Sequence, residues 1–497
     1  MANVFTEFEK AVMKQPDDPC VTIEGKDISF KGVYAASKRL AKKLLEIAPG
    51  DSEAELNIGL FAPNLPGFYV GYFGTLAANK VTVPINFLLN QSEIMTIGMH
   101  SGLRIIIASG PLYEKVTEMA KALPIKVLRA EDFLNEDPVP DDLPELTRGD
   151  DDVAVLMYTS GTTGTPKGVM LTHTNLIENY KSVIDVYPFT KEHTFVCVLP
   201  LFHSFGMLAM MLLPIQLGSR TILVPQFQPQ KLAEIFNTYT RCIFFGVAPM
   251  FQVLGLLAKS KGLKYEKLEL CVSGAAALPN DVKNIFEDAT GIDLFQGYGL
   301  SEASPVVSLN LPNQHKPGTI GKTIRGVEVQ IWDDEGNRQP NGEIGEIMVK
   351  GQNVMKGYYK NPDVTAQTIT DGWLHTGDLG RLDDDGYTTI VGRKKELIIS
   401  AGENIYPLEI EDVLTSHPAV KEAAVIGVPH PTRGEDAKAY VALHEGAEVE
   451  IAELKQLCKD KLAAFKVPAE FEIREELPKS PTGKILKRVL QSELAKG

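Results

Sequence analysis

The sequence predicts an α/β protein: a large N-terminal domain of layered α/β subdomains plus a β-rich subdomain, then a small α+β C-terminal domain. Three observations carry this. Helix-period segments alternate with short apolar runs in the first part of the chain. From about Val327 the texture changes to short strands and turns, and the last stretch returns to two strong helices separated by strand-like runs. With 497 residues the chain is too long for one typical domain. The expected units are 1–393, with the β-rich part at about 320–393, and 394–497.

The elements follow in order. Ala35 to Leu45 keeps apolar positions three to four apart, which predicts a helix, while Arg104 to Ala108 and Thr221 to Val224 read as strands. Glu136 to Pro144 is polar and broken by prolines, so it reads as a linker. Behind Thr174 and Asn175, either of which suits a helix cap, Leu176, Ile177, Tyr180, Val183 and Ile184 hold helical spacing. Val327 to Trp332 and Glu346 to Lys350 read as strands, with a turn at Asp334 to Asn337. Pro407 to Ser416 and Ile451 to Leu462 read as helices, with a strand at Ala423 to Ile426 between them.

Composition excludes several classes. Hydrophobic residues at 44% and charged residues at 23% are globular values, so long disorder is not expected. A net charge of -14 opposes nucleic acid and anionic membrane surfaces as general partners. The 5 cysteines, Cys20, Cys197, Cys242, Cys271 and Cys458, form no CxxC pair, which argues against a disulfide frame or zinc site and suits a cytoplasmic location. The N-terminus lacks a secretory pattern. The longest apolar run, Gly206 to Ile215, reaches about half the ~20 residues of a membrane-spanning helix, so no transmembrane segment is expected.

The chemistry concentrates first at Tyr158 to Gly168. Thr159, Ser160, Thr162, Thr163 and Thr165 supply hydroxyls, Gly161, Gly164 and Gly168 let the backbone turn, and Lys167 adds a movable charge, directly after the apolar run Val153 to Met157. Converging N–H groups, hydroxyls and an ammonium grip phosphate. It is not a Walker A loop, because Thr165-Pro166 separates Gly164 from Lys167, and no GxGxxG occurs in the chain. Four further islands stand out. In Gln296-Gly297-Tyr298-Gly299-Leu300-Ser301-Glu302 a tyrosine on a glycine-framed turn can lie against a base, and Glu302 is a hard oxygen ligand suited to Mg²⁺. Asp378, in Thr376-Gly377-Asp378, can accept both hydroxyls of a ribose. Gly392 to Asn404 is a charged patch, then an apolar strand and a turn; Pro478 to Ile485 holds Lys484 after a proline- and glycine-shaped loop.

Together these islands, in this order and over nearly the whole chain, resemble the adenylate-forming superfamily of acyl-CoA synthetases, adenylation domains and firefly-type luciferases. The resemblance implies that Thr162 and Glu302 help hold Mg²⁺. It also implies that Tyr298 stacks on adenine, that Asp378 and Arg393 bind the ribose, and that Lys484 reaches the carboxylate and the α-phosphate. Thr159, Ser160, Gly161, Thr163, Gly164, Lys167, Ala275, Ala276, Gln296, Gly297, Gly299 and Ser301 are the remaining expected ATP contacts. His203, a catalytic candidate bordering the acyl site, would line the acyl pocket with Gly274, Ala275 and Gly299. Ala401, Gly402 and Arg433 would meet CoA after a rotation about Lys395.

The implied reaction is ATP- and Mg²⁺-dependent activation of a carboxylic acid as acyl-AMP, then transfer to the thiol of CoA. The Tyr298 to Pro305 block, with Val306-Val307 behind it, looks most like bacterial or archaeal medium- or long-chain fatty acyl-CoA synthetases. Aryl-CoA ligases share every core motif, and an acyl-AMP ligase loading a carrier protein differs only in acceptor. A luciferase-like oxidase shares the first step, and a non-catalytic nucleotide-binding module would not need Lys484, Glu302 and Asp378. The expected partners are therefore small molecules, fatty acid, ATP and CoA, and a homodimer is compatible with them.

Overall fold

The computed structural model describes residues 1–121, 123–159, 166–479 and 485–494. Two large sheets dominate. The first has seven strands, in the order Gly357–Tyr358, Lys167–Thr172, Val153–Thr159, Val81–Pro84, Asn57–Phe61, Ile105–Ala108 and Lys126–Arg129. Its last five strands run parallel, and Lys167–Thr172 and Gly357–Tyr358 add antiparallel at one edge. The second has nine strands, with a parallel centre from Pro19–Ile23 to Leu294–Gly299 and antiparallel strands at both ends. Parallel strands covered on both faces need continuous apolar residues, which explains runs such as Ile105-Ile106-Ile107.

One apolar core joins the two sheets. It includes Ile58, Leu60 and Val155 of the first and Phe195, Ile243 and Val272 of the second. The helix Pro66–Ala77 is buried along its whole length in that core, and the Tyr69 phenol donates to the Met210 carbonyl at 3.0 Å. An all-round apolar helix is what such an interior position demands.

The sequence expectations hold for the helix spanning Ala35 to Leu45, which lies within Phe30–Ile47, and for the strands Val327–Trp332 and Gly345–Gly351. These two, with Trp373–Leu382, Ile369–Thr370 and Thr388–Arg393, make an antiparallel β-rich sheet. Lys322–Thr323 belongs instead to the edge of the nine-stranded sheet. The cap behind the phosphate loop is neither Thr174 nor Asn175. Thr172 caps the helix His173–Ile184, and Asn175 returns its side-chain oxygen to the Thr172 N–H at 2.9 Å, a reciprocal capping box.

The C-terminal part is a five-stranded sheet with the helices Pro407–Thr415, Ile451–Lys461 and Lys487–Leu494. Its core, built on Ile398, Ile410, Val425, Val441 and Leu454, is separate from the large one. A large N-terminal domain and a small C-terminal domain follow from that division.

Candidate active site

The stem of the expected phosphate loop is an antiparallel pair in which Thr159 meets Lys167 as the last register pair of Val153–Thr159 and Lys167–Thr172. Ser160, Gly161, Thr162, Thr163 and Gly164 lie outside the described residues, as does Lys484. The stem is fixed below that point by the Tyr158 hydroxyl, 2.6 Å from His100 Nδ1. Above it, the Lys167 ammonium sits 4.9 Å from the centroid of the Tyr358 ring.

Gln296, Gly297, Tyr298 and Gly299 stand on the strand Leu294–Gly299, not on a turn as their glycines suggested. The glycines serve close cross-strand approach. A Cβ at Gly297 would meet the Leu309 side chain at 2.6 Å, and one at Gly299 would collide with the Pro305 carbonyl. The strand ends in a short 3-10 turn, Ser301–Ala303, that carries Glu302.

Two polar clusters grow from this segment. At one end the Tyr298 phenol donates to Asp378 Oδ2 at 2.7 Å, and Arg393 Nε lies 3.0 Å from Asp378 Oδ1. Asp378 and Arg393 face each other across adjacent strands, so register alone brings them together. Burial, then the Asp378 charge, pushes the Tyr298 phenol well above its ordinary value, so it remains a donor. At the other end the Tyr358 phenol donates to Glu302 Oε1 at 2.8 Å.

The wall expected to face the acyl group is apolar and aromatic. A Cβ at Gly274 would stand 2.9 Å from the Phe205 ring, which meets Phe245 edge-on at 6.1 Å. Ala275 adopts φ 66, and both it and Ala276 are exposed just beyond Gly274. Ser301 Oγ is 3.1 Å from Ser204 Oγ, tying the Glu302 turn to the His203 segment. His203 packs against Phe202 at 5.1 Å between centroids, and burial lowers its pKa, so it is neutral.

The expected CoA residues form their own cluster on the C-terminal sheet. Ala401 and Gly402 both take positive φ, 52 and 87, in the turn between Ile398–Ser400 and Glu403–Ile405. The Ala401 N–H donates to the Arg433 carbonyl at 2.8 Å, and the Arg433 guanidinium pairs with Asp436. Lys395 lies in the 3-10 turn Lys394–Glu396 that enters this sheet.

Two family models cover this architecture: the AMP-binding enzyme model matches residues 8–359, and the AMP-binding enzyme C-terminal domain model matches residues 409–484. The chain belongs to the AMP-binding enzyme family. A long-chain-fatty-acid–CoA ligase of Bacillus subtilis (strain 168) is 36% identical, over 96% of this chain and 92% of its own. A feruloyl-CoA synthase of an Amycolatopsis species is 37% identical, over 95% of each. Among solved structures, the o-succinylbenzoate coenzyme A synthetase of Bacillus subtilis in complex with ATP and a magnesium ion superimposes with a TM-score of 0.85 at 28% identity. That match covers 98% of this chain and 99% of the other. This AMP-binding enzyme is an acid–thiol ligase of the acyl- and aryl-CoA ligase kind.

The donor set fits a Mg²⁺ that arrives with nucleotide. Among the described residues no three His, Cys, Asp or Glu side chains gather into a metal site, and Glu302 offers a lone carboxylate. Mg²⁺ bound by one or two carboxylates plus substrate phosphates and water needs no protein cage. The described helices include none long and apolar enough to cross a membrane.

Sequence reading missed Tyr358 and Phe205 in this AMP-binding enzyme. Tyr358 had a signal, since Gly357-Tyr358-Tyr359 precedes Pro362 at the start of the helix Pro362–Thr368. Phe205 had none, because its closeness to Gly274 depends on the short helix Ser204–Met207 meeting the end of the strand Leu268–Ser273.

Proposed function

We propose that the enzyme activates a medium- or long-chain fatty acid by adenylation and passes the acyl group to CoA. One observation carries the adenylation step. Tyr298 and Glu302 are close neighbours in the chain, yet one leads to the Asp378–Arg393 pair and the other to Tyr358 and Lys167, so a single segment addresses both ends of a nucleotide. Asp378 would accept the ribose hydroxyls and Tyr298 would lie against adenine. Glu302, with Thr162, would hold Mg²⁺, which would screen phosphate charge when bound.

The acid's carboxylate oxygen attacks the α-phosphorus, the bond to the β-phosphate oxygen breaks, and pyrophosphate leaves. Lys167, with Thr159, Ser160, Gly161, Thr162, Thr163 and Gly164, would retain the departing phosphates, while Lys484 would steer the carboxylate against its own charge repulsion. We further propose domains at 1–393 and 394–497 with the hinge at Lys395. The CoA sulfur would then attack the acyl carbonyl, the thiol proton would go to solvent, and AMP would leave. Ala401, Gly402 and Arg433 would face CoA in that second arrangement. The described cysteines are all free and buried, which fits the reducing cytoplasm we propose as its setting.

The fatty-acid relative and the apolar wall of Phe205, Gly274 and Phe245 support this substrate class. The same wall favours a second reading, an aryl acid, because a flat ring stacks where Phe205 crosses Gly274 and the feruloyl-CoA synthase is equally similar. The test is thioester mass after incubation with ATP, Mg²⁺, CoA and a panel of octanoic, palmitic, ferulic and benzoic acids. Octanoyl- or palmitoyl-CoA as the main product supports the first reading, and feruloyl- or benzoyl-CoA overturns it.

A further inference from the structure

We infer that Tyr358 is a positioning residue for the metal-bound nucleotide, setting Glu302 and Lys167 in one fixed arrangement from a strand that belongs to neither. Tyr358 is 7% exposed and makes both contacts with different parts of one side chain. Its hydroxyl donates to Glu302 Oε1 at 2.8 Å, and its ring face lies 4.9 Å from the Lys167 ammonium. The rest of its segment holds the same two elements through the backbone. The Met355 N–H donates to the Glu302 carbonyl at 2.8 Å, so Glu302 is gripped at its main chain and at its side chain. On the other side Gly357 and Tyr358 pair with Met170 and Val169, and the Tyr359 N–H reaches the Gly168 carbonyl at 2.7 Å. Thr365 Oγ1 accepts from the Tyr358 N–H at 2.8 Å, which fixes the strand itself.

The residue type matters for each contact. A phenol occupies one carboxylate oxygen of Glu302 and leaves the other to point elsewhere, whereas an ammonium partner would neutralise the carboxylate. The ring attracts the Lys167 ammonium through its quadrupole and consumes neither its charge nor its N–H donors. The Lys167 ammonium meets this ring and no described carboxylate pairs with it, which would leave its charge to phosphate. Glu302 and Lys167 thus share one neighbour, Tyr358, the first at its hydroxyl and the second at its ring.

This inference rests on the reading that Glu302 serves the metal-bound nucleotide, and the test separates the two. ATP binding to the full-length enzyme is measured by titration calorimetry with Mg²⁺ and again with chelator, for wild type, Tyr358→Phe, Tyr358→Leu and Glu302→Gln. Losing a hydrogen bond to a charged group predicts an about tenfold weaker MgATP affinity in Tyr358→Phe, with metal-free ATP affinity within about twofold of wild type. Tyr358→Leu, which also frees Lys167, weakens metal-free ATP by a further several-fold, about the value of an exposed cation–π contact. Wild-type MgATP affinity in Tyr358→Phe, or equal loss with and without Mg²⁺, overturns the positioning role. If Glu302→Gln itself leaves the preference for MgATP intact, the reading of Glu302 fails and the inference falls with it. If Glu302→Gln abolishes the preference and Tyr358→Phe does not change it, only the inference fails.

Discussion

His173 illustrates how a single buried side chain sets a pH limit on the fold. Its Nδ1 accepts from the Val4 N–H at 3.1 Å, anchoring the N-terminal helix Val4–Lys14 to the start of the helix behind the phosphate loop. Burial, then the nearby Arg148 charge, lowers its pKa from 6.5 to about 4. The folded state therefore binds fewer protons than the unfolded chain between those values, so the contribution is complete above pH 6.5 and is lost as pH falls towards 4. Its size is about 3 kcal/mol. Urea unfolding of wild type should lose that stability between pH 6.5 and 4, while His173→Asn, which accepts from Val4 without titrating, should not. Parallel pH profiles would refute the assignment. Single residues such as Glu302 and Asp378 could be singled out as candidates in the sequence because their neighbours form motifs. Their partners were less so: Arg393 meets Asp378 through strand register, and Tyr358 meets Glu302 across 56 positions of chain.

Elements were legible where their apolar pattern is local. The strand Val327–Trp332 alternates, and the helices at Pro407–Thr415 and Ile451–Lys461 start and stop within a residue of their sequence bounds. Misreadings came where two explanations share one composition. Glycines at 297 and 299 suit a turn or a tightly approached strand, and only the Leu309 side chain and the Pro305 carbonyl decide between them. The terminal helix Lys487–Leu494 is held by a feature that no local pattern encodes. Lys487 Nζ lies 2.7 Å from Glu396 and 2.7 Å from Glu411, joining the helix to the turn that carries Lys395. Burial alone would lower the Lys487 pKa, but the two carboxylates outweigh it and raise it, so the ammonium stays charged. Lys487→Met leaves Glu411 buried without its counter-charge, a loss of about 3 kcal/mol. Amide exchange in this helix should accelerate roughly 10²-fold. Unchanged exchange would show that the triad does not anchor it.

At the scale of the whole molecule the proposed mechanism requires two arrangements of the same domains. Lys394 bridges Asp334 at 2.8 Å and Glu346 at 3.1 Å, and the next residue is the proposed hinge. Lys395→Pro should leave ATP–pyrophosphate exchange within a few-fold of wild type and slow thioester formation, because the ring stiffens the dihedral that must change. Lys484→Ala should do the reverse, slowing adenylation roughly 10²- to 10³-fold while sparing transfer from supplied acyl-AMP. Equal losses in both half-reactions for both variants would exclude alternation.

The strand Gly357–Tyr358 also imposes an order on biosynthesis. Its partner, Lys167–Thr172, leaves the ribosome about 190 residues earlier, a delay of roughly 10 to 40 s at ordinary rates of translation. During that interval the Lys167–Thr172 edge of the seven-stranded sheet has open hydrogen-bonding groups. The nascent sheet therefore keeps that edge open until Tyr358 has emerged, which makes it the stretch most exposed to wrong strand pairing during synthesis.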